Sequence, residues 1–285
     1  MEASTLLERA VRAMKGSPSL DHWQRDREQI EAEEFLFHAL GGRDPKSRED
    51  VPASARRRFE RWVARRVTGE PVPYILGFAE FRGLCLIAKP GVFVPRYSTE
   101  FLAEQAVRRL RARWRPVAVD LATGGGTVAL SIANEVRKAR VFGTDVSASA
   151  VSLARRNATR LGLRATFVRG DLFGGLPEHV AGKVDVVTLH PPYVARGELR
   201  DLPDEIRRFE PVQTLSDRSV DGLGLVGRTI AESPEWLRSG GWLCIEIAPD
   251  RARSVVTALR RAGFREARST KGGIGVTRVV VGRVP

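Results

Sequence analysis

The feature of this 285-residue chain that most narrows its fold is a change of period near Arg115. Beyond it, strand-like and helical patterns alternate: strand Val117 to Leu121, helix Thr127 to Lys138, strand Arg140 to Asp145, helix Ala148 to Leu161, strand Ala165 to Arg169, strand Val184 to His190, helix Asp221 to Ser239 and strand Trp242 to Ile247. A helix between two strands carries the chain back to the same end of a sheet, so this order predicts a mostly parallel sheet covered on both faces, an α/β fold. The end departs from the pattern. Helix Arg251 to Ala262 is followed by Phe264 to Ser269, a Gly-rich turn and Gly275 to Val281, which predicts an antiparallel pair at the sheet edge.

Upstream, residues 1 to about 75 carry helical patterns only: Leu6, Leu7, Val11 and Met14, then Ile30 to Leu40, then Ala55 to Val67. Asp21 is placed to cap the second of these and Pro52 to begin the third. From Gly77 the period is two, with Phe78 to Ile87 and Val92 to Val94 on either side of Lys89-Pro90-Gly91, read as a β-hairpin. The expected organisation is therefore a helical domain over 1–76, a hairpin linker over 77–95 and an α/β domain over 96–285.

Hydrophobic residues at 42% and charged residues at 28% are ordinary for a globular protein, and no apolar run is long enough to span a bilayer. The start, MEASTLLERAV, has acidic residues where a signal peptide is basic and then apolar, so a cytoplasmic location and no membrane partner are expected. Cys85 and Cys244 have no metal-ligand spacing and are expected as buried free thiols; no metal site is foreseen. The formal charge of +13 raises nucleic acid as a partner, but the excess is spread along the chain and forms no basic tail. Arg57, Arg61 and Arg65 recur opposite Phe59, Trp62 and Val63, either a solvated helix face or a ridge for a polyanion. His22, His38 and His179 lack partners at ligand spacing and are read as structural or surface residues.

Three strand ends carry the chemistry. Asp120 to Thr127, with Gly124, Gly125 and Gly126, closes one strand and opens a helix, a turn that lets backbone amides approach a ligand. Asp145 ends the next strand about twenty residues on, where a carboxylate takes both hydroxyls of a ribose. No second mononucleotide half follows. Instead Asp171-Leu172-Phe173 comes after the third strand, where the acid is suited to an adenine amino group and the apolar pair to its ring. Finally, His190-Pro191-Pro192-Tyr193 ends an apolar strand; proline removes backbone N–H groups, leaving the carbonyls of His190 and Pro191 to accept from a ligand that carries N–H groups.

These motifs at successive strand ends resemble the S-adenosylmethionine-dependent methyltransferase fold and, more narrowly, the protein glutamine N5-methyltransferases that modify peptide-chain release factors. The resemblance spans nearly the whole chain, through Gly69 to Gly77 with Glu80-Phe81, Val94 to Glu100, Gly170 to Phe173, Glu210-Pro211, Asp221 to Leu223, Gly240 to Trp242 and Glu246. It implies a class I, Rossmann-like domain with a mostly parallel seven-stranded sheet, a small N-terminal helical domain that docks the substrate, and S-adenosyl-L-methionine turned over to S-adenosyl-L-homocysteine. By position, cofactor binding falls on Ala122, Thr123, Gly124, Gly125, Gly126, Asp145, Asp171 and Leu172. Acceptor binding falls on His190, Pro191, Pro192 and Tyr193, with His190 and Tyr193 as catalytic candidates. The segment holding Arg96, Thr99 and Glu100 either caps a helix or lies on the cofactor side, and Glu246 is expected to hold strand or helix contacts.

Two positions depart from the family pattern. Ala122 replaces the first loop glycine, which costs about 1 kcal/mol if φ must be positive there. His190 replaces asparagine in Asn-Pro-Pro-Tyr. A neutral imidazole offers one acceptor nitrogen and a protonated one none, whereas an imidazole can remove a proton as no amide can. The expectation is a methyltransferase with an acceptor altered by His190. A small-molecule methyltransferase, a nucleic-acid amino methyltransferase and a non-catalytic cofactor binder are the alternatives, and a release factor or a small molecule is the expected partner.

Overall fold

In a computed structural model the protein is described over residues 1–21, 26–46, 49–272 and 277–285, which divide into two compact units. The first comprises residues 1–78 and 200–210, the second 79–199 and 211–285.

In the first unit, α1 (Ala3–Lys15) buries Ala3, Leu6, Ala10 and Met14, a stripe at helical spacing. It packs with Ala32, Phe35 and Leu36 of α2 (Arg27–Ala39) and with Ala55, Phe59 and Val63 of α3 (Ala53–Val67) in one core. A short α4 (Val72–Leu76) ends at Gly77 in the left-handed region. Asp21 does not cap α2. The cap position is Asp26, itself left-handed, while the Asp21 carbonyl accepts a bond from the Arg27 side chain at 2.6 Å. Arg57 and Arg61 are exposed, and Arg65 pairs with Glu70 at 2.6 Å. His38 lies edge-on to Phe37 and Phe78, whereas His22 lies outside the described residues.

Arg66, on the core side of α3, is 1% exposed. Its guanidinium donates to Glu31 at 2.7 Å and to Glu205 at 2.8 Å, and Arg27 donates to the same two carboxylates at 3.0 and 2.8 Å. Two arginines and two glutamates thus neutralise one another, which lets four charges be buried or nearly so. Burial pushes the Glu205 carboxyl up, but hydrogen bonds and charge from Arg27 and Arg66 outweigh it and hold the group below its ordinary value.

A hairpin follows, β1 (Phe78–Phe81), whose first residue closes the first stretch of the first unit, and β2 (Leu84–Ile87). Its turn is Arg82-Gly83, with φ of +47° and +73°, and not Lys89-Pro90-Gly91; two positive φ values suit a two-residue turn to the strand twist, and Arg82 N–H is further held by Glu100. A 3₁₀ turn, Tyr97–Thr99, leads into α5 (Glu100–Leu110). There follow β3 (Val117–Leu121), α6 (Thr127–Glu135), β4 (Arg140–Asp145), α7 (Ala148–Leu161), β5 (Thr166–Arg169) and β6 (Val184–Leu189). The chain then passes through the first unit, where it forms α8 (Asp204–Arg207), and returns as α9 (Val212–Leu215), α10 (Gly224–Trp236), β7 (Leu237–Glu246), α11 (Ala252–Arg261), β8 (Arg265–Lys271) and β9 (Thr277–Arg283).

The sheet has seven strands in the order β5-β4-β3-β6-β7-β9-β8, parallel from β5 to β7, with β9 antiparallel to both β7 and β8. Alternate residues feed opposite faces. Ala118, Val186 and Cys244 enter one core while Val119, Val187 and Leu243 enter the other, so both faces are apolar, as helices on both sides require.

Helix α10 starts three residues later than expected because the Asp221 carboxylate accepts from Leu223 N–H, closing a turn before the helix. It ends at Trp236, after Pro234, and β7 starts at Leu237, five residues before Trp242. The register with β6 shifts between Val184 and Val186, where a Cβ on Gly241 would meet the Val184 carbonyl at 2.9 Å. Cys244 is buried, but Cys85 is half-buried because β2 turns alternate residues outward. Among the described residues no helix is long and apolar enough to cross a membrane.

Candidate active site

Running out from β3, successive sheet neighbours lie to one side through β4 and β5 and to the other through β6 and β7. In an open parallel sheet this reversal leaves a crevice beyond the carboxyl ends of the two central strands. A cavity of about 400 Å³ lies here, within the second unit. Its wall includes Ala122 to Gly125 after β3, Asp145 after β4, Asp171 and Leu172 after β5, and His190 to Pro192 after β6.

The glycine loop is held from beneath. Asp145 accepts from Gly124 N–H at 2.9 Å with one carboxylate oxygen and from Ser147 N–H at 2.8 Å with the other. Ala122 has φ of +50°, so the alanine stands where glycine is favoured. Gly126 is not part of the cavity wall. With φ of +85° it precedes α6, and a Cβ there would come within 3.1 Å of Ala154, Leu130 and Phe167.

Beyond β5, Leu172 is buried and lines the cavity, while the Asp171 carboxylate pairs with Arg228 at 3.0 Å, both side chains about half exposed. Phe173 does not join Leu172 in the wall, because its ring is stacked on Trp236 with centroids 5.2 Å apart.

The turn after β6 is pinned by backbone bonds from Val194 N–H to Leu215 and from Asp217 N–H to Pro192. Among the described residues no hydrogen bond ends on the Pro191 carbonyl. Gly222 packs beneath this turn so closely that a Cβ would stand 2.1 Å from the Tyr193 carbonyl. Tyr193 lies outside the cavity wall; its ring faces that of His190 at 5.8 Å and its carbonyl accepts from Arg251.

Three residues to which the motifs assigned no catalytic or binding role stand at the site. Asp120, at the end of β3, is 3% exposed yet lines the cavity. Burial pushes its carboxyl up to about 6, against hydrogen bonds from the Thr123 and Thr188 hydroxyls and Ala129 N–H. Of the two roles open to the Arg96–Glu100 segment, Thr99 makes no capping bond and instead lines the cavity, as Arg96 does; the Thr99 hydroxyl meets His190 Nδ1 at 3.2 Å. Glu246, expected to hold structural contacts, is 1% exposed and places Oε2 3.7 Å from the same nitrogen, while Oε1 accepts from Ser98. Asp120 ends the strand that opens the glycine loop, a signal available in the sequence; Thr99 and Glu246 carry no such local mark.

Asp145 is also pushed up by burial, offset by the two backbone N–H groups it accepts. Two carboxylates that ionise reluctantly in one cavity favour a ligand bearing positive charge.

Comparison with known proteins bears on the family of the chain. A methyltransferase-domain model matches residues 118–209 and a PrmC N-terminal domain model matches residues 14–77. The release factor glutamine methyltransferase of Geobacter sulfurreducens is 37% identical over 222 residues, covering 78% of this chain and 76% of its own. That of Burkholderia pseudomallei is 35% identical over 266 residues, covering 90% and 92%. Among solved structures, a T. Thermophilus 16S rRNA N2 G1207 methyltransferase in complex with AdoMet and guanosine superposes with a TM-score of 0.54 at 17% identity, over 73% of this chain and 50% of that one, a likeness of fold alone. With relatives this similar over most of its length, the chain belongs to the release factor glutamine methyltransferase family.

Proposed function

We propose that this protein methylates the side-chain amide of a glutamine in a peptide-chain release factor, using S-adenosyl-L-methionine, in the cytoplasm. The observation that carries the reading is one cavity in which the glycine loop, Asp145 and the His190-Pro191-Pro192 turn face a common space. The cofactor suits these residues: it is cationic, and the cavity holds Asp120 and Asp145, both with carboxyls raised by burial. Ala122 to Gly125, Asp145, Asp171 and Leu172 would hold it. When bound it supplies a methyl group on an electron-poor sulfur.

The chain's own part is alignment. An amide nitrogen is a poor nucleophile, and fixing its orientation recovers on the order of 7 to 11 kcal/mol of barrier in well-oriented systems. The Pro191 carbonyl accepts one amide N–H and His190 the other, turning the nitrogen lone pair toward the cofactor side. Asparagine does this with a side-chain oxygen; histidine has one ring nitrogen for it. Residues 1–76 dock the release factor, and exposed Arg57 and Arg61 suit an acidic partner surface.

A second reading, a small molecule with a hydroxyl or ammonium acceptor, is favoured by the nearness of Glu246 to His190, an arrangement able to take up a proton. The test is methyl-labelled S-adenosyl-L-methionine with a purified release factor, the wild-type protein beside His190→Asn. Transfer by the wild type to the glutamine supports the first reading. Transfer by the variant alone favours the second, and transfer by neither overturns docking of a release factor.

A further inference from the structure

The His190 ring is held by its Nδ1 edge. Thr99 Oγ1 lies 3.2 Å from that nitrogen and Glu246 Oε2 lies 3.7 Å from it. The threonine contact alone leaves the tautomer open, because a hydroxyl donates or accepts equally well. The carboxylate decides it. Glu246 is 1% exposed and Oε2 has no hydrogen-bond partner among the described residues, so a ring lone pair turned toward it would set two electron-rich groups together in a desolvated place. A proton on Nδ1 removes that repulsion and gives Oε2 a positive neighbour.

We infer that Glu246, with Thr99, is a positioning residue that keeps the proton on His190 Nδ1, so that Nε2 is left as the lone-pair nitrogen that holds the acceptor and takes its proton. The inference rests on the methyltransferase reading above and goes further by assigning the fate of that proton. As the acceptor nitrogen bonds to the methyl carbon, the carbon–sulfur bond breaks with its electron pair remaining on sulfur, and the positive charge passes to the acceptor nitrogen. Nε2 removes it as one proton. The resulting imidazolium keeps Nδ1–H toward Glu246, whose carboxylate compensates the charge. Asparagine in this position can orient an amide but cannot receive the proton.

The other ionisable neighbours of the ring come from several elements. Tyr193 stacks on it from the same turn. Arg96 lies 5.0 Å over the Phe93 ring, which meets the His190 ring edge-on. Asp120 and Arg218 line the same cavity. Among these, Glu246 is the one paired with Nδ1.

The first test uses the free protein. Nitrogen-15 NMR of labelled histidine in the wild type should show the neutral ring protonated on Nδ1, and Glu246→Gln or Thr99→Val should shift the population toward the other tautomer. A wild-type ring protonated on Nε2, or a tautomer unmoved in both variants, overturns the inference whether or not any acceptor is methylated. The second test is kcat/KM with the release factor at neutral pH, where Glu246→Gln should lower the rate by about 10- to 100-fold. In the His190→Asn background, adding Glu246→Gln should change the rate by less than about threefold, since the group it positions is gone. An equal loss in both backgrounds would make Glu246 merely structural. Methylation of no release factor by any variant sinks the functional reading but leaves the NMR outcome to decide the tautomer.

Discussion

Thr188 and Asp120 are direct neighbours on β6 and β3, and the threonine hydroxyl donates a 2.7 Å hydrogen bond to the buried carboxylate. Burial nevertheless dominates and pushes Asp120 up to about 6. Its native state therefore binds a proton more readily than the unfolded chain does. The associated stability is full below the ordinary Asp range and is lost as pH rises through about 6. Relative to Asp120→Asn, the wild type should lose on the order of 3 kcal/mol between pH 4 and pH 7. Urea unfolding of both proteins across that range measures it; a constant difference between them would refute it.

Ala122 holds φ of +50°. Ala122→Gly should stabilise the protein by about 1 kcal/mol, since relief of the Cβ strain exceeds the added freedom of the unfolded chain. A denaturation midpoint that falls in the variant would show that the loop is not strained at this residue.

Asp145 spends both oxygens on backbone N–H groups of the loops on either side of it. Asp145→Ala should abolish S-adenosyl-L-methionine binding in calorimetry, while Asp145→Asn, which keeps one acceptor oxygen, should bind with intermediate affinity. Wild-type affinity in the alanine variant would remove Asp145 from the cofactor site.

Arg66→Leu should cost about 3 to 5 kcal/mol, because it leaves the buried Glu205 and the partly buried Glu31 beside a single arginine. Since Glu205 is held below the ordinary carboxyl range in the wild type, its contribution is present above that range and disappears as pH falls through the depressed value. Thermal unfolding and proteolysis near residues 200–210 report the loss. A variant that unfolds like the wild type at neutral pH would show that the ion-pair ring contributes no net stability.

What could be read from the sequence was whatever is written locally. Alternation of period gave the strand order its parallel character, and Gly124-Gly125, Asp145 and Pro191-Pro192 declared themselves because each motif lies within one turn. The hairpin turn falls at Arg82-Gly83 although Lys89-Pro90-Gly91 is the stronger local turn signal, and Gly91 too takes a positive φ. The Thr99 contact with His190 joins residues 91 apart, and the Asp120 contact with Thr188 joins residues 68 apart, distances over which no periodicity carries information. Nothing in the sequence sets Arg66 apart from the other arginines of its helix; its burial beside Glu31 and Glu205 separates it from Arg57 and Arg61.

The excursion of residues 200–210 into the first unit means that the boundary between the units is crossed three times by one polypeptide. A recombinant fragment beginning at residue 79 would carry Glu205 without either of its arginines, and a fragment ending at residue 78 would carry Arg27 and Arg66 without it. Exchange of the helical domain between members of the family therefore calls for two cassettes transplanted together, and a shuffled library built on a single junction would be depleted of folded chimeras.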